Sequence, residues 1–188
     1  MADSTGTAVL PIHEMDQRHR GLTKAVAASY LEAARVCLGR RHEPPVQLTI
    51  EDSGTTSPAT ADWTPPDERT KTAWANQIDA TEAGAYACVI AAVELTRGLF
   101  AIGRAETLTG ADYYVASAGE VPVDDLEICW RLEISGSDRD SGIDLERRLR
   151  RKLEQARAGK GNLPALAGVV GFSAISILIG QVTTDDLG

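Results

Sequence analysis

Between His13 and Arg41 apolar residues recur three and four positions apart, at Leu22, Val26, Tyr30, Ala33, Ala34, Cys37 and Leu38, and Gly39 followed by Pro44-Pro45 ends the run. That spacing predicts an amphipathic helix. Val46-Gln47-Leu48-Thr49-Ile50 alternates with period two and predicts a strand, whereas Ser53 to Pro66 is rich in Ser, Thr, Gly and Pro and predicts a loop. Thr64-Pro65-Pro66-Asp67-Glu68 carries Pro and acids where the first turn of a helix takes them. The helix so begun is expected to reach Arg97, with a break near Asp79 to Gly84. Its second half, Ala85 to Val93, is apolar nearly all round, as in a buried helix. Residues 1 to about 12 are small and polar and predict little order.

Leu99 to Ala105 predicts a strand, Glu106 to Gly110 a turn, and Asp112 opens the next strand. Ser117 to Asp125 then reads as a connecting loop. In the strand that follows, Ile128, Trp130, Leu132 and Ile134 share an apolar face, while Cys129, Arg131, Glu133 and Ser135 share the other. After a turn at Asp138 to Gly142, Asp144 begins a helix with Leu145, Leu149, Leu153 and Ala156 as its buried stripe.

Leu163 to Val182 contains no charged residue and is apolar enough to resemble a membrane span. Against that reading, Gly168, Gly171 and Gly180 interrupt it, and Ser173 to Ile179 alternates small or polar with large apolar residues, as a half-covered strand does. A soluble chain with a C-terminal strand is therefore expected, and a tail anchor is the alternative.

A chain of 188 residues suffices for one ordinary domain. The loop near residue 60 is its best internal boundary, dividing an N-terminal helix-strand extension (1–60) from a core (61–188). Net charge of −8 argues against a protein that coats nucleic acid by bulk electrostatics. Locally the balance reverses: between Asp144 and Lys160, seven basic residues face three acidic ones. Cys37, Cys88 and Cys129 are widely spaced in apolar surroundings and predict buried free thiols, with no paired-cysteine metal spacing. The N-terminus shows no secretory signal pattern, so the cytoplasm is the expected location.

From about residue 67 the expected order is helix, three strands, helix, strand. With Gly110-Ala111-Asp112 opening the second strand and Leu132-Glu133-Ile134-Ser135 in the third, it resembles the PD-(D/E)XK nuclease superfamily, the restriction-endonuclease-like fold, over roughly the C-terminal two thirds. The resemblance implies an α/β fold and a magnesium-dependent, or manganese-dependent, phosphodiester hydrolase acting on DNA, with a role in bacterial defence or DNA processing. It implies that Asp112 and Glu133 bind the metal, with Glu82 on the preceding helix adding to its shell and Glu94 as second choice. From the helix after the third strand, the implied cation comes from Lys152 or Arg148, with Gln155 also placed to assist. The chain departs from the pattern at Ser135, where the family carries Lys. Either Lys152 or Arg148 stands in, or the protein is an inactive member that assembles as a homodimer or with a partner protein.

The chemistry stands beside the resemblance, because magnesium prefers oxygen ligands and takes one or two carboxylates with water and phosphate. Plainer readings compete. Asp112 beside Gly110 suits a turn, Glu133 has Arg131 or Arg104 as possible ion-pair partners on a solvated face, and Glu82 suits a helix surface. The basic helix suits a solvated face supported by pairs such as Glu146 with Arg150, and His13, His19 and His42 suit structural or exposed positions.

Overall fold

The computed structural model describes residues 7–106, 109–119, 128–158 and 163–182. In chain order these form β1 (Ala8–Val9), α1 (Met15–Arg18), α2 (Lys24–Gly39), β2 (Val46–Asp52), β3 (Thr55–Ala61), α3 (Glu68–Ala73), α4 (Gln77–Arg97), β4 (Leu99–Arg104), β5 (Tyr113–Ser117), β6 (Trp130–Ser137), α5 (Gly142–Ala158), β7 (Ala165–Gly171) and β8 (Ser176–Gln181). All eight strands join one mixed sheet in the order β1-β3-β2-β8-β7-β6-β5-β4. The chain is thus an α/β protein with a single sheet, and strands from both sides of residue 60 pair within it: β2 lies parallel to β8.

Two apolar layers flank the sheet. Leu132, Ile134, Leu166, Val170, Ile177 and Ile179 face α2 and α4, while Val169 and Leu178 face Leu145 and Leu149 of α5. Alternation along β7 and β8 therefore buries both faces, and a strand covered on both sides needs an almost unbroken apolar sequence. That explains the membrane-like composition of 163–182. No described helix is long and apolar enough to cross a membrane.

Four expectations are corrected. The Ser53 to Pro66 stretch contains β3, which buries only Ala59 and Ala61. The N-terminal helix is two helices, and residues 8–12 are not loose: Leu10 and Ile12 are buried against the main core. The break after Asp67 falls at Trp74 to Asn76, where Asn76 Oδ1 accepts from the N–H groups of Ile78 and Asp79 to cap α4. Gly84 stays inside α4 because a Cβ there would stand 3.1 Å from the Ala34 backbone, so the glycine permits close α2–α4 contact. The three cysteines are buried, as expected, and no disulfide joins them. The expected Ser117–Asp125 loop lies largely outside the described residues, as does Lys160.

His19 covers the edge of β4. Ala101 N–H donates to its Nδ1 at 3.0 Å, and Gly21 N–H donates to the Ala101 carbonyl at 3.0 Å, so both main-chain groups of this edge residue are satisfied. With Nδ1 accepting, the ring proton sits on Nε2 and points to Glu94 Oε2 at 2.8 Å. Burial lowers the pKa of His19 below its ordinary 6.5 and outweighs the opposing pull of Glu94. The unfolded chain then takes up the proton first as pH falls. Stability is complete above about pH 6.5 and declines from there towards the lower folded value. Urea midpoints measured from pH 7.5 to 5 should fall across this window in the wild type and stay flatter in His19→Gln.

Candidate functional site

The site lies where pairing between β5 and β6 stops. Registered pairs run from Val115↔Trp130 to Tyr113↔Leu132, so the C-terminal half of β6 continues past the start of β5. Asp112 sits at this end. Its N–H donates to the Leu132 carbonyl at 2.8 Å, and its Oδ2 accepts from Ile134 N–H at 2.8 Å, where a longer β5 would have offered a carbonyl. The carboxylate is thereby fixed at the rim of the sheet.

Its other oxygen is held from α4. Tyr86 O–H donates to Asp112 Oδ1 at 2.9 Å, and Arg104 Nη2 donates to the same Tyr86 hydroxyl at 2.9 Å. An arginine can only donate, so the tyrosine oxygen accepts from it and turns its own proton towards Asp112. Burial first, and then the Asp112 charge, push the Tyr86 pKa above its usual value and keep that proton in place. Arg104 also lies over the rings of Tyr86 and Tyr113, 4.5 and 5.0 Å from their centroids, and donates to Tyr30 O–H at 3.1 Å.

Glu133 is on the other face of β6, beneath α5. Lys152 Nζ donates to Glu133 Oε1 at 2.6 Å, with 24% of the lysine and 13% of the glutamate side chain exposed. Lys152 reaches it because Leu149, Leu153 and Ala156 dock α5 on the sheet and Lys152 flanks that stripe. The odd-numbered face of β6 is therefore not solvated: Arg131 is buried and its guanidinium donates to the carbonyls of Thr109 and Leu163. Lys152, rather than Arg131 or Arg104, is the partner of Glu133.

Because β5 no longer covers this edge of β6, both faces open into one cleft of about 580 Å³, whose lining includes Glu82, Asp112, Glu133, Ser135, Arg148 and Lys152. Gly136 shapes its wall, since a Cβ there would stand 2.8 Å from the Thr81 carbonyl and 2.9 Å from the Ala85 methyl of α4. The three acids first chosen for the metal and the two candidate cations thus line the same cavity. Their engagement differs. Arg148 Nε and Nη2 are bound to Asp140 Oδ2 at 2.9 and 2.8 Å, and Glu82 is exposed on α4. Glu94, the second choice, lies twelve residues along α4 from Glu82, about 18 Å of helix. There it binds Arg18 and His19, which removes it from the site.

Sequence reasoning missed Tyr86 and offered Arg104, as one of two candidates, to Glu133, whereas its Nη2 lies 3.8 Å from Asp112 Oδ1. The signal for Tyr86 was a lone phenol in the apolar run Ala85 to Val93, since a buried hydroxyl requires a partner. No protein-family model matches the chain, and neither a curated protein nor a solved structure shows significant similarity to it. Among the described residues, no three Asp, Glu, His or Cys side chains stand close enough to form a complete metal cage. Asp112 is held from the α4 side of the sheet and Glu133 from the α5 side, and what the cleft offers a hard cation is carboxylate oxygens with room for water.

Proposed function

We propose that the chain is a metal-dependent phosphodiester hydrolase of the PD-(D/E)XK type, acting on DNA in bacterial defence or DNA processing. The observation that carries this reading is the meeting of Asp112, Glu133 and Lys152 in one cleft at the end of β5. The order α4, β4, β5, β6, α5, β7, with β4 to β6 antiparallel and β7 parallel to β6, supports the restriction-endonuclease-like core that the resemblance implies.

Asp112 and Glu133 would hold magnesium or manganese, with Glu82 assisting through water. A divalent cation supplies Lewis acidity towards a phosphoryl oxygen and towards water. The protein does the rest. Tyr86 and Ile134 N–H hold the Asp112 carboxylate in a fixed orientation. Lys152 provides the positive charge that Ser135 cannot, and so offsets charge developing on the phosphoryl group. Arg148, held by Asp140, adds to the positive wall at a greater remove.

One observation favours the inactive alternative, in which the fold serves assembly: both Asp112 oxygens and one Glu133 oxygen are already bonded within the protein. Incubation with labelled single- and double-stranded DNA and RNA decides between them. Cleavage in magnesium or manganese, lost in EDTA and absent from an identically prepared Glu133→Ala control, is the expected result. Intact substrate under all conditions would favour the assembly reading.

A further inference from the structure

A second cavity, of about 370 Å³, adjoins the first, and Gln77 at the start of α4 lines both. Its walls bring Arg40 at the end of α2 together with Lys71 and Trp74 of the α3 region. A second link joins the two: Arg40 Nη1 donates to Asp138 Oδ1 at 3.2 Å, and Asp138 lines the first cleft. Arg41 Nη2 reaches the other oxygen of the same carboxylate at 3.5 Å. One carboxylate cannot neutralise two guanidinium groups, so positive charge is left over along the passage between the cavities.

Lys71 brings a further cation to the second cavity, beside Glu68, Asp67 and Glu43. It is bound to Glu68 at 2.8 Å, but the lysine is 51% and the glutamate 89% exposed. An exposed pair of this kind holds weakly and exchanges readily for an anion. Trp74 supplies a different element. Its indole N–H donates to Glu32 Oε1 at 2.8 Å and its ring packs against the core, so it forms a fixed aromatic wall. Cations beside an immobile indole are the chemistry that takes a nucleotide, with phosphate on the cations and base on the ring.

Resting on the proposed hydrolase, we propose that this cavity is a subsite for a nucleotide of the substrate strand next to the bond being cut, and that the strand is single-stranded there. A paired base is covered on both faces by its neighbours and cannot stack on Trp74. Phosphates would follow Arg41, Arg40 and Lys71 from the first cleft to the second.

Fluorescence anisotropy tests this with a labelled twelve-nucleotide single-stranded DNA and its duplex, in EDTA so that nothing is cut, using the whole chain. The single strand should bind about fivefold or more tightly than the duplex, and Trp74→Leu should remove most of that preference. Lys71→Glu and Arg41→Glu, both at exposed positions, should each weaken single-strand binding severalfold and reduce its salt dependence. Wild-type affinity in both charge variants would overturn the subsite while leaving the hydrolase reading intact. Equal binding of duplex and single strand would overturn it too. If the wild type binds neither DNA, the subsite falls, and the hydrolase reading falls with it only if cleavage in magnesium is also absent.

Discussion

A Lys152→Met variant should bind magnesium about tenfold more tightly than the wild type and yet cut DNA about 100- to 1000-fold more slowly at saturating metal. The two effects have opposite signs because Lys152 acts on Glu133 in two ways. Its ammonium lies 2.6 Å from Glu133 Oε1, where it competes with any cation for that oxygen. Methionine keeps the length and apolar stem but removes the charge, so the carboxylate is freed and its neighbourhood becomes more negative. In the proposed hydrolysis the same change would take away the cation bound to Glu133, and Arg148 would not replace it while Asp140 holds its guanidinium. A purely structural strap would lose stability, with affinity and rate falling together. Metal titration and single-turnover cleavage on the same preparation separate these outcomes.

How far the site could be read from the chain depended on whether a contact is local. Asp112 and Glu133 were visible because one stands just before β5 and the other within β6, among apolar neighbours where an acid is conspicuous. Docking of α5 was visible in the spacing of Leu145, Leu149, Leu153 and Ala156, which placed Lys152 and Arg148 at the border of the buried stripe. Which of them reaches Glu133 was not visible, because that depends on how far α5 slides along β6, and no local pattern records it. Tyr86 was missed for the same reason, since Asp112 is 26 residues away and meets it only at the rim of the sheet, whereas Arg104 is eight residues from Asp112 and the pairing depends on how β4 and β5 register.

The fold was hidden in other places. β3 is built of Thr, Ser, Pro and Ala, and its buried positions are the small residues Ala59 and Ala61, which leave almost no hydrophobic alternation. Gly84 read as a breaker because a glycine in a helix is usually unfavourable, whereas here it makes room for α2. The 163–182 run was ambiguous because a strand buried on both faces and a membrane span draw on the same residues.

The second large effect concerns the acids themselves. Asp112→Asn and Glu133→Gln keep the size of each side chain, and the amide oxygen that the first substitution introduces can still accept from Ile134 N–H, so the rim of the sheet should survive. Each would remove one of the two charged oxygen ligands of the proposed metal. Altering an outer partner of a metal ligand already weakens binding about 10- to 100-fold, so losing a ligand should cost about 100-fold or more.

Calorimetric titration of magnesium, and of manganese, into wild type, Asp112→Asn and Glu133→Gln, with melting temperatures recorded alongside, is the most direct test of whether these two carboxylates share one ion. A saturable heat in the wild type, lost in both variants while their melting temperatures stay near that of the wild type, is the predicted result. Equal heats in all three proteins, or none in the wild type, would contradict it.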